Sequence, residues 1–127
     1  MKDAKYSYKN LEAYKESNTL VKQVYALLKK FPREEQFALC DQLRRAIISV
    51  PSNIAEGLGR VSTKEQIHFL EIAYGSLREV DCQLDIAKDL GYISDEELQN
   101  VENQLEKVAA LVAGMRNQRS ASLNAKH

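Results

Sequence analysis

The sequence predicts an all-α fold, an antiparallel up-down four-helix bundle with its second helix kinked at Pro51. Three observations predict it. Apolar residues recur at spacings of three and four in four long stretches. Short links rich in Gly, Pro and Ser join those stretches. No stretch alternates with the period of two that a half-buried strand requires. At 127 residues, with 44% apolar and 28% charged residues, the chain is read as one soluble domain, residues 1–127. Amphipathic helices joined by short links bury their stripes most economically against sequence neighbours running the opposite way.

The first helix is expected over about residues 11–30, with Leu11, Tyr14, Val21, Val24, Leu28 and Phe31 on its apolar face and Asn10 as N-cap. The second is expected over 32–58. Pro32 would occupy its first position, where the missing N–H costs nothing, and Glu34 and Glu35 would suit the positive end of its dipole. Its stripe is Phe37, Cys40, Leu43, Ile47, Val50 and Ile54. Pro51 removes the bond to the Ile47 carbonyl and should bend the helix, while Gly57 and Gly59 should let it stop.

Ser62-Thr-Lys-Glu65 is a capping box, placing the third helix at 63–90 with Ile67, Leu70, Tyr74, Leu77, Leu84 and Ala87 inward and Gly91 at its end. Ser94-Asp-Glu-Glu97 is a second capping box, with Ile93 and Leu98 as its hydrophobic staple. The fourth helix, 95–117, turns Leu98, Val101, Leu105, Val108, Leu111, Val112 and Met115 inward. The pattern then fades, so residues 118–127 are expected to fray.

A second row runs along each central helix: Gln42, Arg45, Ser49, Ser52 and Glu56, then Glu65, His68, Ile72, Gly75, Glu79, Cys82 and Ile86. A solvated face normally carries Lys and Glu. These rows carry small residues and two isoleucines, a composition that suits close helix approach. They are read as an oligomer interface involving Arg45, Ser49, Ser52, Glu56, Ile72, Gly75, Glu79, Cys82 and Ile86, with Glu79 paired to Arg45 or Arg44.

Little in the chain points to catalysis. Glu65-x-x-His68 has the spacing of a di-iron ligand pair, but such a site needs that motif on two helices, and the other histidine is His127. Glu56 and Glu79 are read as ion-pair partners of Arg44, Arg45 or Arg78 rather than acid–base groups. Ser49, Ser52 and Ser62 have no base nearby in sequence, and no nucleotide-binding glycine motif is present. The expectation is no enzyme, no metal and no cofactor. Cys40 and Cys82 are read as reduced, half-buried thiols. No apolar window approaches the ~20 residues of a membrane span. The opening "MKDAKYSYKN" lacks an apolar core, so a cytoplasmic address without signal peptide is expected.

The net charge is zero but unevenly spread: residues 1–60 hold 11 Lys/Arg against 7 Asp/Glu, and the remainder reverses that balance. In an up-down bundle both termini share a pole with the turn between helices two and three. That pole gathers Lys2, Lys5, Lys9, Arg60, Lys64, Arg116 and Arg119, with Lys126, against Asp3, Glu56 and Glu65. The opposite pole is net acidic. A neutral chain argues against strong general nucleic-acid binding but not against a local phosphate-holding patch. Keeping the protein soluble is the competing reading of the same charges.

"QLRRAIISVPSNIAEGLGR", followed by "EQIHFLEIAYGSLREVDCQLDIAKDLGYI", resembles a family of small bacterial four-helix-bundle proteins encoded in intervening sequences of 23S ribosomal RNA genes. The most specific part is Ser49 to Gly57, with Gly75 to Glu79. The resemblance implies homo-oligomers, pentameric rings in particular. It also implies a relation to Avd, the accessory protein of diversity-generating retroelements, which partners a reverse transcriptase and binds nucleic acid. Two functions therefore stand side by side: an oligomeric adaptor binding RNA or DNA through the basic pole, possible accessory to a reverse transcriptase or other nucleic-acid enzyme, and a scaffolding oligomer that binds only protein.

Overall fold

The computed structural model describes Tyr8 and residues 11–125. It is all-helical over that range: α1 (Glu12–Leu28), α2 (Leu39–Leu58), α3 (Thr63–Asp89) and α4 (Asp95–Ala125), with a 3-10 turn at Arg33–Glu35. Each helix packs against two others, in the cyclic order α1, α2, α3, α4 and back to α1. Partners rise on one helix as they fall on the next. Gln42 meets Gln83 and Ser49 meets Ser76, while Gln66 meets Arg119 and Arg78 meets Glu106. That pattern supports the up-down reading. One continuous core joins all four helices, with Leu20, Leu43, Ile47, Leu70, Leu77, Leu84 and Leu105 fully buried. Each such side chain is worth ~1.5–3 kcal/mol against exposure.

The start of α2 differs from the expectation. It does not begin at Pro32. The chain turns through Arg33–Glu35 and enters the helix at Leu39. Gln36 explains the delay. Its Nε2 donates to the carbonyls of Leu28 (3.2 Å), the last residue of α1, and Phe31 (3.3 Å), just past it. Arg44 then holds Gln36 through its carbonyl (3.1 Å) and Oε1 (2.8 Å). A segment tied back to α1 in this way cannot continue α2. Phe37, expected in the core, is consequently 93% exposed, and Leu39 packs against the core instead.

Helix α2 continues through Pro51, which is buried. Gly57 does not end it. It lies inside the helix against α3, where an added Cβ would stand 2.9 Å from Phe69 Cβ and 3.3 Å from the Gln66 carbonyl oxygen. The first turn of α1 is preceded by Leu11 without a side-chain cap, in place of Asn10, which lies outside the described residues. Leu11 itself is exposed rather than buried.

Both helices start at the expected capping boxes; the second box makes both of its bonds and the first makes its N-cap bond. The Ser62 hydroxyl accepts from the Glu65 N–H at 3.3 Å. Ser94 and Glu97 exchange both bonds: Ser94 N–H donates to Glu97 Oε1 (2.9 Å) and Glu97 N–H to Ser94 Oγ (3.0 Å). Ile93 and Leu98 are both buried, as a staple requires. Gly91, at φ +83°, ends α3 with the paired bonds of a Schellman turn, Tyr92 N–H to Ala87 O and Gly91 N–H to Lys88 O, both 2.9 Å.

The fourth helix outruns its predicted end and stays helical to Ala125, so residues 118–125 do not fray. The stretch contains no Gly or Pro to stop it, and Arg119 anchors it to α3. Of the two cysteines, Cys40 is fully buried and burial pushes its thiol above the ordinary range, whereas Cys82 is exposed rather than half-buried. No described helix is long and apolar enough to cross a membrane.

Candidate nucleic-acid interface

Of the eight basic-pole residues, Lys2, Lys5, Lys9 and Lys126 lie outside the described residues. The remaining four come from the α2–α3 turn (Arg60, Lys64) and the far end of α4 (Arg116, Arg119). Gln66 fastens these two segments together. Its Nε2 donates to the Arg60 carbonyl at 2.7 Å, and its Oε1 accepts from Arg119 Nε at 2.9 Å. Arg119 also donates from Nη1 to the Met115 carbonyl (3.3 Å), so its guanidinium is oriented from two sides.

The four cations are not equivalent. Arg60 is neutralised by Glu56 at 2.6 Å and rests on the Phe69 ring, 4.8 Å from its centroid. Arg116 and Arg119 form no ion pair among the described residues. Arg116 stacks instead on Tyr74, 5.1 Å from the ring centroid. Lys64 is exposed on the first turn of α3. An anion therefore meets uncompensated charge at Lys64, Arg116 and Arg119 before it meets Arg60.

The predicted interface row is divided. Glu65, His68, Ile72, Gly75, Glu79, Cys82 and Ile86 of α3 are all exposed, as are Arg45, Ser52 and Glu56 of α2. Ile72, Ile86 and the neighbouring Ile48 leave 38%, 45% and 43% of their surface uncovered. Ser49 departs from this face. It turns towards α3, where its hydroxyl lies 2.8 Å from Ser76 Oγ and accepts from Asn53 Nδ2 at 2.9 Å. Within the protomer the predicted Glu79–Arg45 pairing is not made: Glu79 accepts from Gln83 (3.2 Å), Arg45 pairs with Asp41 (3.2 Å) and Arg44 holds Gln36.

The Ser49–Gly57 run divides into two rows. Its inner row, Ser49, Asn53 and Gly57, is spaced by four and makes the seam with α3. Its outer row, with Pro51, Ser52 and Glu56, forms one wall of an open cleft of about 720 Å³ whose other wall carries Tyr14 and Asn18 of α1. Asn53 and Ser76 carry no distinguishing sequence signal. Their spacing to Ser49 becomes meaningful only once α2 and α3 are placed side by side.

These features define a small four-helix bundle with charged ends and a partly apolar flank on its central pair of helices. The chain belongs to the 23S rRNA-intervening sequence protein family, whose profile matches residues 9–114. It is similar in fold to the crystal structure of a protein of unknown function from the S23 ribosomal protein family of Bacteroides thetaiotaomicron VPI-5482. The two share 22% identity over 82% of this chain and 97% of that one, with a TM-score of 0.76. No curated protein matches the chain.

Proposed function

We propose that the protein is a non-catalytic homo-oligomer, a pentamer, that binds nucleic acid weakly through its basic pole. In this reading it serves as accessory to a nucleic-acid enzyme such as a reverse transcriptase, in the manner of the related Avd proteins. The observation that carries the binding reading is the Gln66 tie, which holds the end of α4 against the α2–α3 turn and so gathers Arg116 and Arg119 with Arg60 and Lys64. A ring of parallel subunits would repeat this patch around one rim, adding weak phosphate contacts into useful avidity. The exposed Ile72 and Ile86, on the same row of α3 as Gly75, supply an apolar surface for the subunit contact.

Two measurements test the proposal. Light scattering at micromolar concentration should give a multiple of the 14.4 kDa chain, and a protomer-sized species alone would overturn the oligomer. Fluorescence anisotropy with labelled RNA or DNA at low salt should show binding that weakens steeply with salt. Replacing Arg60, Lys64, Arg116 and Arg119 with Gln should abolish it. An oligomer that binds no nucleic acid at low salt leaves the protein-only scaffold as the correct reading, which the exposed apolar flank favours.

A further inference from the structure

We propose that the basic pole continues along the α3–α4 edge as a short track for single-stranded RNA. Arg119 and Arg116 take phosphates, and the Arg78–Tyr74 stack takes an unstacked base. The inference rests on the nucleic-acid reading above and specifies its ligand.

The edge is ordered in a particular way. Nearest the pole, Arg119 is oriented by Gln66 and the Met115 carbonyl. Next, Tyr74 carries two guanidinium groups over its ring, Arg116 at 5.1 Å and Arg78 at 4.9 Å from the centroid. Arg78 also donates to the Tyr74 hydroxyl at 2.6 Å, which fixes its plane relative to the ring. Guanidinium groups held over an aromatic ring present a delocalised surface on which a base can stack, with positive charge beside it for the adjoining phosphate. A duplex keeps its bases stacked on one another and offers none to such a platform.

The track then stops. Arg78 meets Glu106 at 3.4 Å, and beyond it come Asp81, Asp85 and Glu102. Asp81 Oδ1 is buried there without a hydrogen-bond partner. Phosphates are repelled from this half of the edge, so the footprint is short and ends near Arg78.

A notch beside the track selects the sugar. It has a volume of about 260 Å³, lies between the start of α3 and the end of α4, and is lined by Thr63, Gln66, Gln118, Arg119 and Ser122. Thr63, Ser122 and Gln118 supply hydroxyl and amide groups that match a ribose, whose 2′-hydroxyl both donates and accepts. A deoxyribose leaves part of that lining unpaired.

The test is anisotropy at low salt with three labelled probes: a short oligouridylate, an oligodeoxyuridylate of equal length and a duplex RNA. The wild type should bind the oligouridylate tightest. Arg78→Gln and Tyr74→Leu should each weaken it by about tenfold, the scale of one lost stacking contact, and Arg78→Gln should leave duplex binding unchanged. Tyr74→Phe keeps the ring and should stay within about twofold of wild type. Circular dichroism checks each variant. If Tyr74→Leu fails to fold, Arg78→Gln alone decides, since Arg78 is exposed. Duplex bound as tightly as single strand, or single-strand affinity unmoved by Arg78→Gln, overturns the track. Equal affinity for the RNA and DNA strands overturns the ribose notch. If the pole variant of Arg60, Lys64, Arg116 and Arg119 loses binding while Arg78→Gln does not, this inference fails and the pole stands. If the wild type binds none of the probes, the pole reading itself fails.

Discussion

Helix α3 has two edges, and they are built from different chemistry. Towards α2 the polar groups are neutral: Ser49 with Ser76, Asn53 with Ser49, Gln83 with Gln42, and a bare glycine at position 57 where the helices come closest. Towards α4 the groups are charged or stacked: Arg119, Arg116, Tyr74 and Arg78, then Glu106, Asp81 and Glu102. Neutral hydrogen bonds between half-buried hydroxyls and amides fix register and close approach while responding little to pH or salt. Exposed charges contribute little to stability but respond strongly to anions, salt and protons. The contrast divides the helix into an edge that specifies structure and an edge available for interaction.

The neutral edge breaks most severely at Gly57. A Cβ there meets the Phe69 Cβ at 2.9 Å and a backbone oxygen at 3.3 Å, neither of which is the free end of a flexible side chain. Gly57→Val should therefore destabilise the protein by about 3 kcal/mol, at the upper end of overpacking costs. Gly57→Ala should still lose stability, because its overpacking outweighs the ~1 kcal/mol gained in helix propensity. Gly75 is the control on the same pair of helices. An added Cβ meets nothing within 4 Å, so Gly75→Ala should stabilise the protomer by about 1 kcal/mol. Urea denaturation of the two alanine variants should give shifts of opposite sign. Shifts of the same sign would mean that α2 and α3 are not in the contact described. If the proposed subunit contact runs through the face around Gly75, Gly75→Leu should dissociate the subunits while the helices stay folded.

A smaller effect is expected at the hydroxyl pair. Ser76 is only 8% exposed and meets Ser49 Oγ at 2.8 Å. Ser49→Ala leaves the Ser76 hydroxyl buried without this partner and should cost about 1–2 kcal/mol. Ser76→Ala should cost less, because Ser49 keeps its bond from Asn53. The double variant should lose less than the sum, by about 0.5–1 kcal/mol of coupling. Additive losses in denaturant titrations would show that the two hydroxyls stabilise the seam independently.

The legibility of these two edges differs for physical reasons. Capping boxes and staples are local, so Ser62–Glu65, Ser94–Glu97 and Ile93–Leu98 can be read from spacing alone. Gly57 is open to a second meaning, because a glycine one residue from a helix end signals termination as readily as close approach. Ser49 was placed on the outer row by its three-and-four spacing to Ser52 and Glu56, whereas the row that meets α3 runs by fours to Asn53 and Gly57. Phe37 continued the helical stripe upstream, and nothing local revealed that Gln36 would be drawn back to the Leu28 and Phe31 carbonyls. The end of α4 lost its apolar period because Ala121, Ser122 and Asn124 face solvent, yet backbone bonding is local and the helix continued without it. The charge at the pole was countable in sequence. The stack of Arg78 and Arg116 on Tyr74 depends on two helices meeting and was not.

The subtlest way to sharpen the comparison is by pH, at the acidic half of the charged edge. Asp81 beside Glu102 holds the Glu102 carboxyl above the usual carboxylate range, and burial, Asp85 and Glu106 add to the effect. The folded protein therefore takes up this proton at a higher pH than the unfolded chain, whose Glu titrates near ~4.3. Between those two values the native state binds more protons, so stability rises as pH falls from neutral through the folded pKa. Two other carboxylates act in the opposite sense. Gln104 and Lys107 hold Glu16 low, and Lys30 and the Ser94 N–H hold Glu97 low, so their contributions are present near neutral pH and are lost as pH falls from the ordinary range through their lowered values. The wild type should thus gain slightly in stability just above the ordinary carboxylate range and lose it below. Glu102→Gln removes the charge conflict and keeps the side-chain shape. It should be more stable than wild type at neutral pH and should lack the upper rise, while the acid-side loss stays in place. Thermal melts across the acidic range test this directly. A Glu102→Gln curve that merely parallels the wild type would mean that Asp81 does not raise the Glu102 carboxyl across the α3–α4 edge.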